Sequence, residues 1–124
     1  MIEPLLQAER LLLHGQIDAA ERLYASTLAA DPRNSIAAVG LARIALERGN
    51  DLLAYQHACA ALEIDRQNSA ALRLEARLSE VLAARGQPVE RPAWMTGDDD
   101  RARDDRAAGD RPRRPGLLRR ILGR

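Results

Sequence analysis

The chain has 124 residues, 46% of them hydrophobic, which suits one domain with a core plus a tail. Phe is absent and Tyr24, Tyr55 and Trp94 are the only aromatics, so the core must be built from Ala and Leu, a composition that favours close helix–helix contact over a sheet sandwich. Net charge is +1 but uneven: residues 1–86 hold 9 Arg against 11 acids, a net of −2, and residues 87–124 hold 10 Arg against 7 acids, a net of +3, so the body offers no electrostatic reason to bind nucleic acid.

In chain order, Pro4 suits the first turn of a helix, where its missing N–H costs nothing. Leu5, Leu6, Ala8, Leu11, Leu12 and Leu13 continue that helix until His14-Gly15 ends it. Ile17 to Ala30 reads as a second helix, with Ala20, Leu23, Tyr24, Thr27 and Leu28 on one stripe. Asp31-Pro32-Arg33-Asn34 stops it, because Pro32 lacks an N–H and biases Asp31 away from the α region. Asn34 and Ser35 can cap the next helix, Ser35 to Arg48. Gly49-Asn50 is a turn, Asn50 or Asp51 a cap, and Leu52 to Ile64 a fourth helix with Ala54, Ala58, Ala61 and Leu62 on one side. After Asp65-Arg66-Gln67-Asn68, Ser69 to Arg85 predicts one long helix closed by Gly86. Beyond it Pro88, Pro92, Pro112, Pro115 and the mixed Asp/Arg stretch from Asp98 lack the apolar content to offset their ordering entropy, and disorder is expected over 87–124.

The helices repeat. Ala8, Ala42 and Ala76 stand 34 residues apart, and at the same offset Gly15 is matched by Gly49, Ala20 by Ala54, Leu28 by Leu62, Asp31 by Asp65, Asn34 by Asn68 and Arg43 by Arg77. A helical hairpin of this length cannot bury its apolar face alone and stacks on its neighbours. With Ala8 and Ala20, Ala42 and Ala54, Tyr24, Ala61, and Asp31-Pro32 with Asn34, residues 1–86 resemble the tetratricopeptide repeat family, over about two thirds of the chain. Departures are Thr27, Ala58, Arg66 in place of the turn proline, and no large aromatic at Pro4, Ala38 or Leu72. The resemblance implies an all-α fold of two hairpin units plus a capping helix.

It also implies a non-enzymatic adaptor or scaffold that holds a peptide or helix of another protein in the groove lined by the first helix of each unit. The groove wall would be Leu5, Glu9, Leu12, Val39, Arg43, Leu46, Arg73 and Arg77. The three arginines either face a ligand carboxylate or are solvated surface charges. A subset of the family grips C-terminal carboxylates, but the matching positions here, Leu5, Glu9, Gly40, Ala70 and Leu74, are unsuited to that task. The alternative is a membrane or nucleic-acid tether in the tail. There Leu117, Leu118, Ile121 and Leu122 share one side of a short helix, with Arg119 and Arg120 beside them, and this segment is also a candidate for docking on the body or on a second copy.

Chemistry is sparse. His14 and His57 are the only histidines and Cys59 the only cysteine, without the spacing of a metal motif, and no phosphate loop occurs. No catalytic residue, metal or cofactor is expected. One cysteine excludes an internal disulfide, Met1 to Leu13 carries Glu3 and Glu9 rather than a basic leader, and no apolar run nears the roughly 18 residues of a membrane span. A cytoplasmic protein is expected, and the excess of Ala with Arg in place of every Lys suggests a GC-rich bacterial genome.

Overall fold

The computed structural model describes residues 2–96, which hold five main helices and one short helical turn. These are α1 (Ile2–Leu13), α2 (Ile17–Ala30), α3 (Ser35–Glu47), α4 (Asp51–Ile64), α5 (Ser69–Ala84) and α6 (Ala93–Thr96), with no strand among the described residues. The protein is an all-α helical repeat.

Side chains fix the helix starts. Asn34, Asn50 and Asn68 each accept a hydrogen bond from the backbone N–H three residues on, at Ala37 (3.0 Å), Leu53 (3.1 Å) and Ala71 (3.0 Å). Each bond satisfies one of the N–H groups that a helix start leaves without a partner. The two turns between repeats are built alike. In the first, Asn34 N–H donates to Asp31 O at 3.0 Å and Arg33 N–H to the Asp31 carboxylate at 3.3 Å. In the second, Asn68 N–H donates to Asp65 O at 3.2 Å and Gln67 N–H to the Asp65 carboxylate at 3.0 Å. The aspartate closes the turn in both, so Arg66 replaces Pro32 without altering it. Within the second hairpin the chain reverses at Gly49, whose φ of +76° suits a residue without a Cβ.

From α1 to α5 each helix packs on the next, and α1 also touches α3, so the first helices of the two hairpins stand side by side. Ala8 and Ala20 are fully buried in the first hairpin, as are Ala42 and Ala54 in the second. Methyl side chains at these four places let the helix backbones approach closely. Ala8, Ala20, Tyr24 and Ile44 form one core cluster, with Leu5, Leu11, Leu12 and Leu23 against it. Ala45, Ala54, Tyr55, Leu78 and Leu82 form another, with Leu46, Cys59, Leu74 and Val89 against it. Ala76, third in the alanine series, is exposed. It lies where a second helix of its unit would cross, and within this unit no helix follows α5.

The repeats and the chain as far as Val89 form one unit, and Glu90 begins a second, of which residues 90–96 are described. The composition after Gly86 predicts no regular structure, yet one turn forms at α6, where Met95 N–H donates to Pro92 O at 3.0 Å and the Thr96 hydroxyl to Ala93 O at 3.1 Å. Pro92 starts this turn as it would start a longer helix, with a ring that presets φ.

Candidate partner-binding cleft

A cleft of about 200 Å³ opens where α1, α3 and the start of α5 converge. From α1 it receives Leu5 and Glu9, from α2 Tyr24, and from α3 Ile36, Val39, Gly40 and Arg43. Ala70 of α5 and its capping Asn68 complete the wall. Asn68 is held on both sides: its carboxamide oxygen caps α5 while its amide donates to the Ser35 hydroxyl at 3.1 Å.

Gly40 is there because of Tyr24. A Cβ at residue 40 would lie 2.3 Å from a ring carbon of Tyr24. The ring, 2% exposed, therefore lies against bare backbone of the next repeat. Burial and the neighbouring Glu9 carboxylate push the Tyr24 phenol up in pKa.

The charged edge of the cleft is an ion pair one repeat apart. Arg43 Nη1 donates to Glu9 Oε1 at 2.7 Å and Nη2 to Oε2 at 3.2 Å, a two-pronged contact, and the Tyr24 hydroxyl donates to the same carboxylate at 3.3 Å. The hydrogen bond from Arg43 holds Glu9 below its usual carboxylate range, against the opposing effect of burial. The Arg43 guanidinium, which the sequence left either facing a ligand acid or solvated, is thus engaged by the neighbouring repeat.

Of the groove residues expected from sequence, Leu5, Glu9, Val39 and Arg43 line the cleft together. Leu12 packs into the first core cluster and Leu46 into the second. Arg73 and Arg77 are exposed on α5 beyond the cleft wall. Gly40 and Ala70 also line it, whereas Leu74 packs into the second core cluster. Sequence reasoning missed Tyr24, Ile36 and Asn68 as lining residues. The period held the signal for one of them, since Ile36 precedes Ala70 by 34 residues. The tail candidates Leu117, Leu118, Arg119, Arg120, Ile121 and Leu122 lie outside the described residues.

The remaining reactive side chains do not line the cleft. The His14 ring donates through Nδ1 to Arg10 O at 2.8 Å, and desolvation lowers the pKa of half-buried His57. Glu75, fully buried, accepts from the Tyr55 hydroxyl at 2.9 Å, tying α5 to α4. Cys59, half-buried, is a further hydrogen-bond neighbour of Tyr55, and desolvation together with these contacts raises the Tyr55 pKa. Among the described residues no three of His, Cys, Asp and Glu converge as metal ligands would, and no helix is long and apolar enough to cross a membrane.

One curated relative is a protein of Komagataeibacter xylinus named cellulose synthase 1 operon protein C, 52% identical over 42 residues. The match covers 34% of this chain and 3% of that protein. No family model matches the sequence, and no solved structure matches it.

Proposed function

We propose that residues 1–86 form a small tetratricopeptide-type array and that the protein is a non-enzymatic adaptor or scaffold, holding a peptide or helix of a partner protein in the cleft between α1, α3 and α5. The cleft itself carries this reading. It is open and largely apolar, walled by Leu5, Ile36, Val39, Gly40 and Ala70, and its charged groups neutralise each other. Such a surface suits an extended or helical segment that inserts an apolar side chain. Ile36, 60% exposed at the rim, adds apolar area to the approach. The relative, in which a matching stretch is a small part of a much longer protein, agrees with a repeat segment as a building block. A sole cysteine agrees with a cytoplasmic setting.

The reading is tested by selecting peptides from a random dodecapeptide display library on the intact chain, then challenging them with Ala70→Trp, which fills the cleft from its rim. Circular dichroism of the variant confirms that the helices persist. Recovered peptides that bind the wild type and lose Ala70→Trp support the cleft. Peptides indifferent to the substitution, or none recovered, overturn it.

A further inference from the structure

From the pattern of paired and unpaired guanidinium groups, and resting on the cleft reading above, we infer that the partner segment is acidic: an extended peptide that seats an apolar side chain in the cleft and lays carboxylates on Arg73 and Arg77 of α5.

The argument begins with the period. Val39 and Arg43 of α3 line the cleft. One repeat on, the same two places on α5 are held by Arg73 and Arg77. They therefore continue the same wall beyond Ala70, itself a lining residue, and stand four apart on one face of the helix. Where the first of these repeats places an apolar side chain and an arginine already paired with Glu9, the next places two arginines.

Arg43 is held by Glu9, Arg48 by Asp18 and Glu21, and Arg85 by Asp51. Arg73 and Arg77 are exposed, and among the described residues neither has an acid within ion-pair distance. Arg10, Arg22 and Arg33 are also exposed and outside these ion pairs, but Arg73 and Arg77 alone among the five repeat the places of cleft-lining residues. Two like charges four residues apart on a helix repel, so the pair is mildly unfavourable in the free protein and relieved by an anionic ligand. Guanidinium forks match carboxylates two-pronged, the geometry Arg43 already shows with Glu9.

A polypeptide fits better than a nucleic acid. The only aromatic ring in the cleft wall is the buried Tyr24, packed against Gly40 and unavailable for stacking a base. Two guanidinium groups beside an apolar cleft match a segment with a few acids and one aliphatic side chain. Glu9 sets the limit of the site by withholding Arg43, so the structure gives Glu9 a second consequence: it narrows the basic surface to α5.

The test presents three intact forms of the chain to the display library: wild type, Arg73→Gln with Arg77→Gln, and Glu9→Gln. The recovered peptides are then made with amidated C-termini for affinity measurement by fluorescence anisotropy. Peptides from the wild type are expected to be enriched in Asp and Glu around a Leu, Ile or Val. Their affinity is expected to fall about tenfold on the double substitution, the sum of two exposed ion pairs, and to weaken with added salt. Arg73→Lys with Arg77→Lys should retain most of it, and Glu9→Gln, by releasing Arg43, should tighten it. Peptides with no acidic excess, or acidic peptides indifferent to the double substitution, overturn the acidic assignment while leaving the cleft reading intact. No recovery on any form ends both. A single-stranded oligonucleotide that displaces the peptides and depends on the same two arginines more strongly than they do would replace the peptide with a nucleic acid.

Discussion

Tyr24 and Gly40 form a large–small pair across adjacent repeats, and one period later Ala58 and Leu74 hold the same places with the sizes exchanged. The summed volume of the two places is roughly the same in both repeats. Gly40→Ala is expected to destabilise the fold by about 1–3 kcal/mol through overpacking, although alanine is the better helix former by about 1 kcal/mol. Tyr24→Ala alone should cost about 3–5 kcal/mol, and Tyr24→Ala with Gly40→Leu should regain part of that loss. Urea melts of the wild type, Tyr24→Ala, Gly40→Leu and the double variant give the coupling: above about 1 kcal/mol is predicted, and additivity would remove the pair from the explanation of Gly40. Two titrating side chains contribute to the response to acid. Glu9 is lowered below its ordinary 4.5 by Arg43, so its contribution is complete above that pH and disappears as pH falls through the folded value. Its side chain is 43% exposed, which limits the amplitude to less than about 1 kcal/mol. His57 is lowered below its ordinary 6.5 by burial, so the unfolded chain takes the proton first and stability falls as pH drops beneath 6.5. Urea midpoints between pH 7 and 3 should therefore decline in two stages, the first removed by His57→Gln and the second reduced by Glu9→Gln.

At the level of helices, much was legible because the signals are local. Asn34 and Asn50 read as caps and do cap, and Asn68, read only as part of a turn, caps α5 in the same way. The observed bounds of α2 to α5 follow the glycine and aspartate punctuation to within a residue. Of the 34-residue alanine series, Ala8 and Ala42, which have a partner helix in their hairpins, are buried. What was not legible is what forms only when repeats stack. The Glu9–Arg43 pair joins residues 34 apart, and nothing in either local sequence marks it. Glu75 looks like any helical carboxylate between Leu74 and Ala76, yet it is fully buried against Tyr55. The turn at α6 falls on Pro92-Ala93-Trp94-Met95, which stands out from its surroundings in sequence but shares with them the expectation of disorder, Pro92 not being read as a helix start. In the cleft, Leu5, Glu9, Val39 and Arg43 were visible for the same reason the repeat was, while Tyr24 came in from the second helix of its hairpin. Close crossing makes a direct prediction: Ala20→Leu and Ala54→Leu, at fully buried sites, should each lower stability by about 1–3 kcal/mol, while Ala29→Leu, at an exposed site, should stay within about 0.5 kcal/mol. Equal effects in thermal melts would mean that these alanines do not mark the crossings.

Across the whole molecule, each helix of the array contacts mainly its sequence neighbours, as expected when repeat hairpins supply one another's core. The end of that array is defined by packing rather than by the last helical residue. Val89 lies against the cluster of Tyr55, Leu78 and Leu82, three residues past Gly86. A chain ending at Val89 should therefore be more stable than one ending at Gly86, by about 1 kcal/mol for a half-buried valine, and equal urea midpoints would count against that contact. The proposed function depends on the same stacking, because neither hairpin alone makes the cleft: α1, α3 and α5 each contribute a wall. The most direct test is to titrate a peptide recovered on the intact chain into isotopically labelled protein and follow backbone amide signals by NMR. Shifts concentrated at Leu5, Ile36, Gly40 and Ala70, and extending along α5 to Arg73 and Arg77, are predicted. Shifts confined to the outward faces of α2 and α4, with these residues unmoved, would contradict a partner-binding cleft.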